Sequence, residues 1–335
     1  MVEVYNNFKA VKDCIQQLYN SEVHNVYQSA SFIEKRLKYM KFQHFTKRTK
    51  YKFYKSVKEG VVRMLIGIEY NKNSNKVIST LDYYDVYYNA TLDNDVLAEA
   101  FHEILLEIGK GVKPYIVFEN VTEDSKLFTL LKSTNTSFEI LKTTGCGRIY
   151  IKDSYEDYFN GLSKNSRQNI RTSYNRLKTD NREIRLEVFD KSTLNKKIIN
   201  MQQSLYVKRY VEKNKSNKLA GLFKKIYEPI SSIINSMDEM MSFVVFIDNE
   251  IAGYLTGLIN KTNNSITIPR LAIDTKFSRY SPGNLLVNES IKYIHDKKLF
   301  TLFDLGIGDE SYKYVMGAEN YVAYNIRVNI NDTNR

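Results

Sequence analysis

The chain has 335 residues, enough for two domains of ordinary size. Hydrophobic residues make up 43% and charged residues 26%, a balance that excludes a disordered chain and favours a folded, water-soluble protein. The 49 Lys and Arg residues exceed the 38 Asp and Glu residues. The resulting net charge of +11 favours anionic partners: nucleic acid, phosphate-bearing substrates or an anionic membrane surface.

Cysteine usage and the N-terminal residues bear on the cell compartment. Cys14 and Cys146 are the two cysteines, and their spacing fits no metal site, so we expect neither a disulfide nor a structural zinc. The first residues lack the basic-then-apolar pattern of a secretory signal. We expect a cytoplasmic protein, and association with the inner face of the membrane stays open.

The first half of the chain predicts two strands, a helix and a further strand. Residues 61–70 and 77–81 are the strands, with a polar turn at 71–76 between them. Apolar residues at helical spacing predict a helix over 94–109, and residues 114–119 form the next strand.

The second half repeats this order. Residues 241–247 and 251–259 predict a hairpin, and residues 265–273 another strand. An amphipathic helix over about 283–297 and a strand over 299–306 complete the unit. We therefore predict an α/β fold of two tandem domains, 1–150 and 151–335, with mixed, mostly antiparallel sheets flanked by helices.

Two helical regions, 153–189 and 192–237, join the halves. Lys164, Arg167 and Arg171 recur on the polar side of the first, and Arg209 belongs to a basic patch in the second. A solvated face explains such a pattern without any function. The alternative is that these cations bind the phosphates of a small-molecule or glycan-precursor substrate.

The segment SRYSPGN, residues 278–284, precedes the amphipathic helix of the second half. Pro282 fixes its own φ and restricts Ser281, while Gly283 permits a close approach of backbone. The pattern predicts a tight turn that opens onto a helix N-terminus, where free N–H groups and the helix dipole favour an anion. An ordinary helix start is the simpler interpretation.

An aspartate interrupts the apolar strand that follows. Asp304 shares one face with Leu302 and Gly306, and a carboxylate there needs a partner or a chemical task. Tyr312 and Lys313 begin the next short helix. The alternatives are a locked structural carboxylate and a catalytic one.

These motifs, in order, resemble the C-terminal signature of the CelD-type (cellulose-biosynthesis) branch of the GNAT acetyltransferase superfamily. The matching residues are Ser281-Pro282-Gly283 and then FDLGIGDESYK, residues 303–313. The helix at 158–177 and the segment STLDYYDVYYN, residues 79–89, resemble upstream parts of the same family.

The resemblance implies a GNAT-like fold in both domains, with the first degenerate and the second binding acetyl-CoA or another acyl-CoA, and no metal. The residues that would then cradle the CoA diphosphate are Arg279, Ser281, Pro282, Gly283 and Asn284. They depart by one position from the usual GNAT pattern and lack its second glycine, which leaves a different acyl-CoA or a different anion open.

The same resemblance suggests roles for three residues. Tyr312 would protonate the leaving thiolate, Asp304 would act as base or orient the acceptor, and Lys313 would pair with Asp304 or a phosphate.

We therefore expect an acyl-CoA-dependent N- or O-acyltransferase that acts on a sugar or cell-envelope precursor. Two alternatives remain: a Fem-type transferase that takes its donor from aminoacyl-tRNA, and a nonenzymatic nucleic-acid-binding protein. The 26 tyrosines would suit base stacking, but the sequence contains no nucleic-acid-binding motif, so nucleic acid is the less expected partner. The oligomeric state is not predicted.

Overall fold

The structure is a computed structural model that describes residues 1–21, 25–46, 49–71, 77–80, 85–110, 115–134, 136–214 and 229–330. The chain divides into two compact units. Unit 1 comprises residues 1–145 and 321–335, and unit 2 comprises residues 146–320.

Unit 1 contains a five-stranded antiparallel sheet and a second strand pair. Its elements are β1 Val2–Tyr5, α1 Lys12–Ser21, α2 Ala30–Thr46, β2 Thr49–Lys58, β3 Val61–Asn71, β4 Val77–Thr80, β5 Tyr87–Tyr88, α3 Asn94–Gly109, β6 Tyr115–Thr122, α4 Lys126–Ser133 and most of β13 Glu319–Asn329. The sheet order is β1-β2-β3-β4, β5 pairs with β3, and β13 pairs with β6.

Period-two alternation places helices on both faces of the five-stranded sheet. Met64 and Ile66 of β3 pack with α3, whereas Leu65 between them packs with α1 and α2. Both faces of β3 are therefore buried, which explains its nearly continuous apolar sequence.

The strand β7, Phe138–Tyr150, continues into unit 2, whose other elements follow in chain order. They are α5 Tyr155–Gly161, α6 Lys164–Thr179, β8 Ile184–Asp190, α7 Lys196–Asn214, α8 Pro229–Ser236, β9 Met240–Ile247, β10 Glu250–Asn260, β11 Ser265–Ile273, α9 Pro282–Asp296, β12 Leu302–Ile307 and α10 Ser311–Val315. The strand order is β7-β12-β11-β10-β9-β8. The β11–β12 pair is parallel and its neighbours are antiparallel.

Alternation again divides the core of unit 2 into two layers. Phe243 and Val245 of β9 pack with α6 and α9, whereas Val244 and Phe246 pack with α7. Asp248 and Asn249, with φ of 50° and 65°, form the two-residue turn of the β9–β10 hairpin.

The expected tandem α/β fold is confirmed. The predicted strands and helices of both halves are present, with α3 at its predicted bounds and α9 shifted by one residue. Residues 72–76 of the predicted turn, Leu81 and residues 215–228 of the second helical region lie outside the described residues.

The domain boundary differs from the expected one by a few residues. The compact units divide after Gly145 rather than after residue 150, and residues 321–335 return to unit 1 because β13 pairs with β6 there. The sequence pattern had placed that segment with the second domain.

Candidate functional site

The strands β11 and β12 pair over only three residues and then separate. Ser265, Ile266 and Thr267 pair with Leu302, Phe303 and Asp304. Beyond this point β11 runs on to Ile273 and β12 to Ile307, with no further pairing between them in the part of the chain that the structure describes. A bulge in β12, where Gly306 has a φ of 65°, accompanies the separation.

A cavity of about 620 Å³ lies where the two strands separate. Apolar residues on both strands line it: Ile268, Pro269, Leu271, Ala272 and Ile273 of β11, and Leu305 and Ile307 of β12. Helix α7 contributes Tyr206, Arg209, Tyr210 and Glu212, and the segment around α10 contributes Glu310, Tyr312 and Lys313. A gap between neighbouring strands with convergent polar groups has the size and lining of a ligand site.

The start of α9 lies beside this cavity. Ser281 is in the left-handed region (φ 51°, ψ 58°), and Pro282 occupies the first helical position. A methyl group at Gly283 would lie 3.7 Å from Cγ2 of Ile273, a residue that lines the cavity. The predicted turn thus opens onto the helix as expected, and the helix start lies close to β11.

The N–H groups at this helix start are partly used. The N–H groups of Asn284 and Leu285 donate to the carbonyl of Ser281 at 3.0 and 3.2 Å, and Pro282 has no N–H. The N–H of Gly283 is therefore the main-chain donor of the first turn that suits an anion best.

Arg279 is directed away from the role expected for it. Its Nε donates to Oδ2 of Asp180 at 2.9 Å, and the side chain is 61% exposed. The carbonyl of Arg279 accepts from Arg176, and hydrogen bonds from Arg279 and Tyr280 hold the pKa of Asp180 below its usual value. An anion at the helix start would have to compete with Asp180 for this guanidinium.

Asp304 contacts the bulge of its own strand. Its Oδ1 accepts a hydrogen bond from the N–H of Gly306 at 2.8 Å, and the residue is half-buried. Asp304 is not among the residues that line the cavity, whereas Leu305, next to it, is. The carboxylate is therefore well placed to fix the bulge.

Lys313 is fully buried, with 1% of its surface exposed, and holds the turn after β12. Its Nζ donates to the carbonyls of Gly306 and Gly308 at 2.8 and 3.0 Å and lies 3.2 Å from Oε2 of Glu310. These three contacts account for the three hydrogens of an ammonium group, so the Lys313 side chain binds the turn and has no hydrogen left for a ligand.

Tyr312 lines the cavity from α10. Burial, with a contribution from the negative charge of Glu310, raises the pKa of the Tyr312 phenol above its ordinary value. The side chain is therefore a neutral proton donor at physiological pH, as the acid role requires.

Of the four cations predicted to bind substrate, Arg209 lines the cavity. Arg167 donates to the carbonyls of Asn160 and Leu162, both at 2.6 Å, and Arg171 lies 5.3 Å from the ring centre of Phe159. These contacts tie α6 to α5. Lys164 is exposed at the first position of α6.

Two carboxylates of the cavity wall were not predicted as site residues. Glu212 accepts a hydrogen bond from Thr275 at 3.2 Å, and Glu310 pairs with Lys313. The sequence did contain one signal for the α7 part of the cavity wall. Tyr206, Arg209 and Tyr210 lie three to four residues apart, so they share one face of α7.

The described residues offer neither a metal-binding cluster nor a membrane-spanning helix. They contain no group of three or more His, Cys, Asp and Glu residues that could hold a metal ion. None of their helices is long and apolar enough to cross a membrane.

Comparisons with known proteins identify the fold. Residues 164–314 match the sequence model of the family described as Acetyltransferase (GNAT) domain. No curated protein matches the chain.

Three solved structures resemble the whole chain. The first is FemX, with a TM-score of 0.61 and 12% identity over 97% of this chain and 96% of that one. The second is a tandem GNAT protein from the clavulanic acid biosynthesis pathway (0.56, 7% identity, 98% of each chain). The third is L-PGS from Bacillus licheniformis (0.57, 12% identity, 95% of this chain and 92% of that one). At these identities the likeness concerns the fold alone: the chain has a tandem GNAT-like fold.

Proposed function

We propose that the chain is an acyl-CoA-dependent N- or O-acyltransferase, with acetyl-CoA as the expected donor and a sugar or cell-envelope precursor as acceptor. The observation that carries this proposal is the cavity between β11 and β12, which has Tyr312 on its wall and the start of α9 beside it. The GNAT domain match over the same residues supports it. The CelD-type branch and the envelope role stay predictions.

The donor would lie along the separated strands. The N–H of Gly283 and the positive end of α9 suit the diphosphate, next to Ile273 at the cavity wall. Main-chain N–H groups on the edge of β11 that β12 no longer covers are the donors we assign to the thioester carbonyl oxygen.

The transfer step follows from thioester chemistry. The acceptor amine or hydroxyl attacks the acyl carbon, a C–N or C–O bond forms, and the C–S bond breaks. We assign the proton lost by the acceptor to Glu310, a carboxylate of the cavity wall. The leaving thiolate takes the phenolic proton of Tyr312, and Asp304 orients the bulge through the N–H of Gly306.

Ligand-dependent melting tests the donor. A ligand that binds only the folded protein at about 100 times its Kd adds about 2.7 kcal/mol to the unfolding free energy. We expect acetyl-CoA to raise the melting temperature, and tRNA and DNA to have no salt-resistant effect. A shift with tRNA but not with acetyl-CoA would instead support the Fem-type alternative.

Two variants test the chemistry. We expect Tyr312→Phe to reduce kcat for acetyl transfer by about 10²-fold or more, because a proton donor contributes that much. Asp304→Asn, which weakens the acceptor of the Gly306 N–H, should also lower kcat. Unchanged transfer by both variants would remove these roles.

A further inference from the structure

The helix α10 carries Tyr312, the proposed proton donor, but it is too short to fix its own position. It spans five residues, Ser311–Val315. Isolated helices shorter than about 12 residues are marginal in water, so packing and hydrogen bonds from other elements must hold α10 in place. On its N-terminal side, Lys313 binds the turn after β12. The C-terminal end of α10 needs a contact of its own.

Tyr158 of α5 supplies this contact. Its hydroxyl donates to the carbonyl of Met316, the residue that follows α10, at 2.9 Å. Tyr158 is 5% exposed and Met316 is fully buried, so the bond is shielded from water. Burial raises the pKa of the Tyr158 phenol above its ordinary value, so the hydroxyl keeps the proton that it donates.

Met316 connects this hydrogen bond to Tyr312. The N–H of Met316 donates to the carbonyl of Tyr312 at 3.0 Å. Met316 therefore accepts from Tyr158 through its carbonyl and donates to Tyr312 through its N–H. Because Tyr312 lines the cavity, two consecutive hydrogen bonds join a buried residue of α5 to the backbone of a residue in the cavity wall.

Helix α5 also packs closely against the residue after Met316. A methyl group at Gly317 would lie 2.8 Å from Cδ2 of Leu162, well inside the normal contact distance of two carbon atoms, and 3.8 Å from Cε2 of Tyr158. Leu162 is 4% exposed and has little room to move. We call the contacts of Tyr158 and Leu162 with Met316 and Gly317 the α5 anchor.

Helix α6 holds the other side of the α5 anchor. One guanidinium nitrogen of Arg167 donates to the carbonyls of Asn160 and Leu162, both at 2.6 Å. Carbonyls at the C-terminal end of a helix have no partner within it, so these bonds fix the end of α5 next to Leu162. A connected set of contacts therefore runs from α6 through α5 to the end of α10.

We propose that Tyr158 is a positioning residue for the transfer reaction, which holds α10 so that Tyr312 stays at the cavity wall. The proposal rests on the acid role that the proposed function gives to Tyr312. Tyr158 is not among the described residues that line the cavity, so it acts through Met316. Phenylalanine would fill the same space, so the hydroxyl itself is needed for the bond to Met316.

Hydrogen exchange followed by mass spectrometry tests the α5 anchor without any ligand. Tyr158→Phe keeps the ring and leaves the buried carbonyl of Met316 without its donor. We expect amide exchange in residues 311–318 to become about 5-fold faster or more, because the local opening of α10 then costs less free energy. Unchanged exchange in residues 311–318 would overturn the proposal.

Tyr155→Phe is the matched control on the same helix. The Tyr155 hydroxyl donates to Oδ1 of Asn288 on α9 at 2.9 Å, so this variant also loses one hydroxyl hydrogen bond, but not one to α10. We expect exchange in residues 311–318 to stay at the wild-type rate. Equal acceleration by both variants would indicate a general loosening of the fold and would also overturn the proposal.

Release of free thiol from acetyl-CoA, with water as the acceptor probe, tests the link to the reaction. Water attacks the acyl carbon and loses a proton to Glu310, a C–O bond forms, the C–S bond breaks, and the thiolate takes the proton of Tyr312. We expect Tyr158→Phe to lower kcat by about 10-fold and to leave the KM for acetyl-CoA within about 2-fold, because a displaced proton donor acts on the transition state. Tyr155→Phe should keep the wild-type kcat.

A double-mutant cycle tests whether Tyr158 acts through Tyr312. In a protein that already carries Tyr312→Phe, the additional Tyr158→Phe change should alter kcat by less than about 2-fold. A full, additive loss would overturn the proposal. Wild-type protein that neither melts higher with acetyl-CoA nor releases thiol would instead contradict the proposed function and the catalytic consequence of the α5 anchor. Hydrogen exchange needs no donor and would still decide whether Tyr158 holds α10, so the two failures are distinguishable.

Discussion

Lys313 shows how a motif residue can serve a site without touching a ligand. Its ammonium group joins two carbonyls that lie two residues apart and a carboxylate on the cavity wall. Removing it would leave the carbonyls of Gly306 and Gly308 without their donor inside the fold.

We expect Lys313→Met to lower the free energy of unfolding by about 1–3 kcal/mol, because the buried carbonyls lose their partner while the aliphatic volume is kept. Urea denaturation measures this. Lys292→Met, on the exposed side of α9, is the control and should change stability little. Equal stability of the two variants would contradict the bracing role.

The raised pKa of Tyr312 leads to a pH prediction. Its ordinary value is 10.0, and burial moves it higher, so the phenol keeps its proton throughout the neutral and mildly alkaline range. We expect kcat to show no loss from Tyr312 ionisation below about pH 10. An alkaline limb near pH 8 that disappears in Tyr312→Phe would contradict this.

At the residue scale, hydrogen-bond partners were harder to predict than the residues of a motif. Tyr312 lines the cavity, and the turn at Ser281 lies beside it. The partners of Lys313 are carbonyls, which any residue carries, and Asp180 is 99 residues from Arg279 along the chain. Neither pairing leaves a pattern in a single sequence.

The turn between β12 and α10 depends on two glycines with positive φ. Gly306 has a φ of 65° and Gly308 a φ of 128°, a region that residues with a side chain rarely adopt. A methyl group at Gly308 would also lie too close to the carboxylate of Glu310.

We expect Gly308→Ala to destabilise the protein by about 1–3 kcal/mol through backbone strain, and to lower acyl transfer by displacing Glu310. Gly161→Ala is the control, since a methyl group there meets no atom within 4 Å and the φ is not positive. Chemical denaturation and the transfer assay should separate the two variants, and a Gly308→Ala protein with wild-type activity would argue against this turn as part of the site.

The start of α9 gives a prediction in which stability and binding change in opposite directions. An added carboxylate at Gly283 interacts favourably with the helix dipole, by about 0.3–1 kcal/mol, but repels a diphosphate. Gly283→Asp should therefore keep or raise stability while it raises the KM for acetyl-CoA by about 10-fold. Asn94→Asp adds the same charge at the start of α3 and should leave that KM unchanged, and a similar KM for both variants would contradict the anion site.

At the element scale, periodicity sufficed for most of the fold. The hairpin of β9 and β10 and the amphipathic helices followed from spacing alone. Strand β8 was missed although Ile184, Leu186 and Val188 alternate, because the preceding helical pattern of α6 was extended over it. The separation of β11 from β12 was not predictable, since it depends on where pairing stops and not on residue type.

The whole molecule repeats one order of elements, and this repetition allowed the tandem fold to be predicted from pattern alone. The two halves are built from different residues, and the turn with Ser281 and Pro282 occurs in unit 2. The return of β13 to unit 1 was missed because a strand near the end of a chain carries no sign of its partner.

The net charge of +11 leads to a prediction for the whole molecule. Contacts with nucleic-acid phosphates that arise from net charge weaken steeply as salt increases. We expect any DNA-induced rise in melting temperature to vanish between about 50 and 200 mM salt, and the acetyl-CoA effect to persist. A salt-resistant DNA effect would support the nucleic-acid-binding alternative instead.

The burial of Lys313 has a further chemical consequence. An amine next to an activated thioester is itself a potential nucleophile, and such a neighbour would consume the acyl group without any acceptor. An ammonium nitrogen that donates all its hydrogens to protein oxygens has no lone pair for attack. If the proposed thioester donor occupies the cavity, the contacts that brace the turn thus also keep Lys313 from taking the acyl group itself.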